Sequence, residues 1–272
     1  MPRIARAVVP ECPHHITQRG NNRQGVFFVA DDYRLYLDIL REQSRRYGLE
    51  VHAYCLMANH VHLVATPHGA DSLAKAVGRT HWRHSQAINR LHGRSGHLWQ
   101  GRFYSCALDR PHFWAAVQYV ERNPVRARLV RRAWDYAWSS AAAHCGDLVK
   151  AEADASGGVP GKPGLPPAER SEDVAGKPGL PPAERSGDVA VPVFQTHPAG
   201  LLDLRAWSKI LEGQDWRQQL TRADDKDAVR ALRDSTSRGR PLGSDSFMSK
   251  VEKLVGRRLR PLPGGRPRKK KG

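Results

Sequence analysis

The stretch Tyr54–Thr66, YCLMANHVHLVAT, leaves the chain few choices. Apolar residues alternate on both sides of a break at Ala58-Asn59, which predicts two strands joined as a short antiparallel hairpin. Successive side chains of a strand point to opposite faces, so residues two apart share one. Val61, Leu63 and Ala65 then pack into a core, and the preceding run offers Val51, Ala53, Cys55 and Met57 as its alternate apolar positions. His60 and His62 project together from the other face, which helices need not cover. Two imidazoles held side by side can bind a metal ion. The same pattern also arises from packing, and the motif alone leaves both readings open.

Charge is the strongest global signal. The 272 residues carry 44 Lys and Arg against 27 Asp and Glu, a formal net charge of +17. An excess of this size, with arginine dominating, points to a polyanion and above all to nucleic acid. No apolar run reaches the roughly 20 residues of a membrane-spanning helix, and the first residues lack the apolar core of a secretory signal. A cytoplasmic, nucleoid-associated protein is therefore expected. Cys12, Cys55, Cys106 and Cys145 are widely spaced and form no CxxC pair, which predicts reduced thiols rather than a disulfide or zinc framework.

Around the hairpin the pattern predicts a strand at His14–Gln18, then a polar turn and the apolar run Val26–Val29. These read as a second hairpin with Arg19 and Arg23 near its tip. Asp31 or Asp32 can cap a helix reaching Tyr47, with Gly48 as its stop. A further helix is expected from Asp71-Ser72 to about Leu91. It carries Leu73, Val77, Trp82 and Ile88 as its apolar residues and Lys75, Arg79, Arg83, His84 and Arg90 elsewhere. A strand follows at Phe103–Ala107. Asp109 and Pro111 then open a helix with Phe113, Val117 and Val120 as its buried stripe, ended or kinked at Pro124. This order predicts an α+β fold, a mostly antiparallel sheet with helices on one face.

The pattern fades from about Ala143. Residues 161–175 and 176–190 are tandem copies of a 15-residue unit, GKPGLPPAERSEDVA and GKPGLPPAERSGDVA. Proline, glycine and charge leave such units no core, which predicts a disordered linker over 143–198. Leu201, Leu204, Trp207, Ile210 and Trp216 suggest small packed helices over 199–260, and Ser244 can cap one bearing Phe247, Val251 and Leu254. The tail 261–272 is basic and expected to be disordered. Two GRP triplets, Gly239–Pro241 and Gly265–Pro267, match the core of minor-groove AT-hooks, a short and unspecific signal.

Tyr119 and Asn123 lie one helical turn apart and share a face beside the Phe113 stripe. Tyr119 is off the centre of that stripe, which leaves its hydroxyl able to point elsewhere. If this helix meets the face bearing His60 and His62, a metal pair, a phenol and an amide converge, a set suited to phosphoryl transfer. Spacing alone equally allows an ordinary half-buried tyrosine and an asparagine that caps the segment at Pro124.

Four runs in order, CPHHITQRGNNRQGVFF, YCLMANHVHLVATP, WQGRFYS and YVERNPVRARLV, resemble the single-tyrosine HUH transposases, the IS200-like transposase family. Within that family they resemble the REP-associated tyrosine transposase branch. The resemblance covers about 10–142, and SRGRPLGSDSFMSKVEKLVGRRL followed by GRPRK resembles the branch's C-terminal region. It implies a ferredoxin-like catalytic domain over 1–142 that cleaves and rejoins single-stranded DNA near hairpins through a 5′-phosphotyrosine. Carried over by position, His60 and His62 are metal ligands for Mg²⁺ or Mn²⁺, Asn123 completes the metal site and Tyr119 is the nucleophile. Arg19, Asn21 and Arg23 match a segment that helps hold DNA, and Arg102 and Phe103 match the family's GRF motif. Trp99, Phe103 and Tyr104 are aromatics on which unstacked bases could rest. The protein is expected to be a monomer or a homodimer. Relatives commonly have proline at Ala58, and the tandem repeat is an insertion. The competing class is a transposase-derived DNA-binding regulator without catalysis; an RNA-binding module is the third.

Overall fold

A computed structural model describes residues 6–146, 198–211 and 213–260. The tandem repeat and the basic tail lie outside the described residues. The elements run β1 (His14–Arg19), α1 (Ala30–Tyr47), β2 (Leu49–Met57), β3 (His60–Pro67), α2 (Ser72–Leu91), β4 (Tyr104–Ala107) and α3 (Arg110–Glu121). Short turns of helix α4 (Asn123–Arg126) and α5 (Ala141–His144) follow. Beyond the undescribed stretch come α6 (Leu204–Leu211), α7 (Trp216–Thr221), α8 (Lys226–Arg238) and α9 (Asp245–Val255). The four strands form one antiparallel sheet in the order β2-β3-β1-β4, the ferredoxin-like arrangement.

Local chemistry accounts for the boundaries. Gly48 ends α1 at φ 62°, a left-handed conformation that costs glycine little. The helix starts two or three residues earlier than its aspartates, read as caps, suggest. Val29 occupies the cap, and the Asp32 carboxylate accepts from the Phe28 and Val29 amides at 2.7 and 3.1 Å. Asp109 caps α3 by accepting from the His112 amide at 3.2 Å, and it also accepts from the Ser244 amide at 2.8 Å, tying the start of α9 to the start of α3. Burial pushes the Asp109 carboxyl up, but hydrogen bonds from His112 and Ser244 outweigh it and hold the group below its usual value.

The sheet is covered on both faces, whereas the alternation in the sequence suggested one. Tyr54, Leu56, Val61, Leu63 and Ala65 pack under α1 and α2. Ala53, Cys55, Met57, Val64 and Cys106 pack under α3, together with Trp207, Trp216 and Leu232 from α6, α7 and α8. Cys55 and Met57 therefore lie on the histidine face, opposite His62 and His60, and not with Val61 and Leu63. An irregularity between Val51 and Ala53 shifts the alternation, so Val51 joins the first core.

Three other expectations are corrected. Val26–Val29 is not a strand. Val26 and Phe27 turn into the first core, and their amides donate to Ala58 O in the β2–β3 turn at 2.9 and 3.3 Å, so the segment after β1 is a 3₁₀ turn (Asn21–Arg23) and a loop. In α2, Trp82 is 56% exposed and His84 is buried, because the stripe through Leu73, Val77 and Ile88 passes over 81 and 84. Gly239–Pro241 is no extended hook: Gly239 caps α8 at φ 64°, and Leu242 donates to Ala107 O at 2.8 Å beside β4.

Candidate active site

The site is assembled on the sheet face that carries His60 and His62. Register places His60 opposite Arg19 and His62 opposite Thr17 on β1. The two imidazoles stand 5.2 Å apart between ring centroids, nearly perpendicular. Each is gripped on its Nδ1 side, His60 by Asn59 Oδ1 at 2.6 Å and His62 by His15 Nε2 at 3.0 Å. Neither Nε2 has a hydrogen-bond partner among the described residues. Burial pushes His60 down to about 4, with the Arg19 charge adding to it. Burial, then the neighbouring His15 and His60, then Arg126 and Arg233, hold His62 well below its usual value. Both rings are therefore neutral at pH 7, the state in which an imidazole nitrogen can ligate a cation.

Helix α3 crosses this face and brings Tyr119 to the pair. Its ring is edge-on to His62 at 5.5 Å and to His15 at 5.6 Å between centroids. The hydroxyl is not free, as its place beside the stripe suggested. Tyr119 is 4% exposed and its hydroxyl accepts from Arg233 Nε of α8 at 3.1 Å. Arg126 lies over the ring at 4.1 Å and donates to Tyr119 O at 2.6 Å. Asp224 holds Arg126 at 3.2 Å and Arg122 at 3.0 Å. Two guanidinium groups thus flank the phenol, where negative charge on a phosphate would be countered.

The remaining expected residues divide. Asn123 is buried one turn beyond Tyr119, with Nδ2 donating to Val120 O at 3.2 Å and Oδ1 accepting no hydrogen bond from a described residue. Among the described residues no group of three or more His, Cys, Asp or Glu could hold a metal ion. The donor set is two imidazole nitrogens with at most an amide oxygen, which fits a cation whose other positions are filled by water or phosphate.

Arg19 lies at the rim beside His60 and donates to Gln100 Oε1 through Nε at 3.2 Å and Nη2 at 2.9 Å. Asn21 and Arg23 sit in the 3₁₀ turn, Arg23 exposed with φ 61°. Arg102 is exposed. Phe103 is not offered to a base: it is 7% exposed, with the Arg6 guanidinium over its ring at 3.6 Å and His81 against its edge. Trp99 is likewise buried, against His81 and Phe27. Tyr104, opposite Thr17 on the histidine face, is the one of the three aromatics left exposed.

Sequence reasoning missed His15, Arg126, Asp224, Arg233 and Thr236. His15 and Arg126 had a local signal: His15 shares a strand face with Thr17, and Arg126 falls seven residues after Tyr119 along the same helical run. Arg233 and Thr236 had none, since they reach the site from more than a hundred residues away in sequence. A cavity of about 350 Å³ between the end of α1, the start of β2 and 200–203 is lined by Arg41, Arg45, Glu50 and Asp203 and contains none of these residues.

Among known proteins, the family described as Transposase IS200 like matches residues 8–123, a span that runs from before β1 to Asn123. One similar solved structure is that of a REP-associated tyrosine transposase bound to a REP hairpin, 22% identical over 52% of this chain and 82% of that one, with a TM-score of 0.43. Another is a transposase structure from Deinococcus radiodurans R1, 26% identical over 44% of this chain and 97% of that one, with a TM-score of 0.31. No curated protein sequence matches the chain. The span matched by that family, residues 8–123, contains the histidine pair, the α3 tyrosine and Asn123, and so takes in each of the groups that meet on this face of the sheet.

Proposed function

We propose that the protein is a metal-dependent transposase of the REP-associated branch, a nickase and strand-transferase that cleaves and rejoins single-stranded DNA beside a hairpin. The observation that carries this reading is the meeting of two neutral imidazoles, each with Nε2 unengaged, and a phenol edge-on to one of them.

Tyr119 Oη attacks the phosphorus of a backbone phosphodiester and gives up its proton. The bond from phosphorus to the 3′ oxygen breaks, the electron pair leaves with that oxygen, and protonation gives a 3′-hydroxyl. The strand remains on Tyr119 through its 5′-phosphate. Attack by a 3′-hydroxyl on that phosphotyrosine reverses the step, so rejoining needs no nucleotide cofactor. Arg126 and Arg233 counter the charge that gathers on the phosphate oxygens. His60 and His62 would hold Mg²⁺ or Mn²⁺, with Asn123 Oδ1 the third candidate. Bound there, the ion supplies Lewis-acid polarisation of the phosphate oxygens. Arg19 at the rim, Asn21 and Arg23 in the 3₁₀ turn and the exposed Arg102 would serve as phosphate contacts, and the exposed ring of Tyr104 is a surface for a base.

One observation favours the second reading, a DNA-binding regulator without catalysis: Tyr119 is nearly buried and its hydroxyl is engaged by Arg233. Covalent trapping separates the two. The protein and a Tyr119→Phe control are mixed with single-stranded hairpin oligonucleotides copied from the flanks of its own gene, with Mn²⁺, Mg²⁺ or EDTA. A metal-dependent, slow-migrating adduct that the control lacks is expected. Tight binding with no adduct under any metal would leave the regulator.

A further inference from the structure

The contact between α8 and the histidine pair has a direction, because each group in it has a limited number of protons to give. Thr236 Oγ1 donates its single hydrogen to Leu232 O at 2.7 Å, one turn back along α8. Its lone pairs are left to accept. One faces the Cys106 thiol at 3.1 Å, which burial pushes up to about 12 and so keeps as S–H. The other faces His15 Nδ1 at 2.7 Å. A neutral imidazole carries one N–H and one lone pair. With its proton on Nδ1, His15 presents a bare Nε2 to His62 Nδ1, 3.0 Å away. The pair can bond only if His62 carries its own proton on Nδ1, which leaves His62 Nε2 as a lone pair. His60 is fixed the same way from the other side. Asn59 Nδ2 donates to Arg23 O at 3.1 Å, so its oxygen faces His60 Nδ1 and requires a proton there.

We infer that Thr236 is a positioning residue which, through His15, sets the tautomer of His62 so that Nε2 is the ligating nitrogen. The helix that does this lies outside the family's matched span, residues 8–123. Turning the Thr236 hydroxyl toward His15 would reverse both protons and put a hydrogen on His62 Nε2, where a cation could not bind. The Leu232 carbonyl holds the hydroxyl the productive way. The role in metal binding rests on the reading of His60 and His62 as ligands; the tautomer itself does not.

The test uses the full chain with ¹⁵N-labelled histidine, first without metal. The His62 nitrogen shifts are expected to show Nδ1 protonated and Nε2 bare, and the reverse pattern in the wild type overturns the inference. Thr236→Val keeps the shape but removes the acceptor. His62 should then shift toward the Nε2–H form while His60, held by Asn59, keeps its pattern. Thr236→Ser should restore His62. An unchanged His62 in Thr236→Val overturns the inference. Mn²⁺ titration followed by electron paramagnetic resonance should show about a 10–100-fold weaker affinity in Thr236→Val, rescued by serine. A wild type with the expected tautomer that takes up no Mn²⁺ would support the proton relay and refute the metal reading.

Discussion

Replacing His84 with leucine should remove a large part of the protein's sensitivity to acid. His84 is fully buried in the first core, with its ring centroid 5.1 Å from Phe27, 5.2 Å from Tyr36 and 5.6 Å from Trp99. Neither ring nitrogen has a hydrogen-bond partner of good geometry among the described residues, and only a weak interaction with the Asp32 backbone reaches the ring. Burial pushes the group from 6.5 down to about 4, with Asp32 offsetting a small part. In the unfolded chain the imidazole takes a proton near pH 6.5, while the folded protein refuses one until about pH 4. Between these values the unfolded state binds more protons, so stability falls as pH falls. A shift of this size removes about 2 kcal/mol between pH 7 and pH 5 and about 3 kcal/mol by pH 4. His84→Leu cannot take up that proton, and it also removes two buried nitrogens whose desolvation costs about 1–3 kcal/mol. Urea unfolding at pH 7 and pH 5 gives the comparison. The variant should match or exceed the wild type at pH 7 and lose about 2 kcal/mol less on going to pH 5. His14 and His81, pushed down to about 4 and about 3 by burial, should keep the residual slope above zero. An identical decline in the two proteins would refute the reasoning, because the ring would then be protonated in place.

Glu121, fully buried, accepts from His144 Nδ1 at 2.6 Å, from the Ser140 hydroxyl and from Trp216 Nε1 at 2.7 Å. Glu121→Ala should cost about 3–5 kcal/mol in urea unfolding, since it strands three donors at once. Gly20→Ala would set a Cβ 2.2 Å from Gln24 O and 2.9 Å from Val26 Cγ1. It should therefore displace the 3₁₀ turn and weaken retention on hairpin DNA in a gel-shift assay, with the sheet's circular dichroism intact. Arg23→Ala and Arg102→Ala should each flatten the salt dependence of DNA binding by about one unit of slope if these side chains contact phosphates. An unchanged slope would remove that residue from the interface.

Much of the sheet was legible because its signals are local. The β2–β3 turn, the Gly48 stop, the Asp109 cap and the full length of α2 each follow from a few neighbouring residues. The two-sided cover was legible in principle. Tyr54, Cys55, Leu56 and Met57 are all buried, and a continuous apolar run is what a strand covered on both faces shows. Reading every second residue discarded that information. Trp82 and His84 trade places for a related reason: hydropathy favours burying the tryptophan, but the helical angle puts position 84 on the buried stripe and position 82 outside it. Of the candidate site, His60, His62 and Tyr119 were found by motif and converge. What surrounds them was not legible, because the Thr236–His15 and Arg233–Tyr119 bonds join residues 221 and 114 apart. No local pattern encodes such a pairing.

That separation has a consequence for timing during synthesis. A chain emerging from the ribosome completes β1 to α3 first, and with them the histidine pair and the tyrosine. The groups that grip His15 and the Tyr119 hydroxyl lie on α8, about 110 residues later. At the usual pace of about 5–20 residues per second, that interval lasts roughly 6–22 s. Until it ends, α3 lacks the apolar cover of Trp207 and Trp216, and Glu121 lacks one of its donors. A nascent chain therefore carries the chemical groups of the site before it carries their arrangement, and the emergence and docking of α8 is the step that turns one into the other.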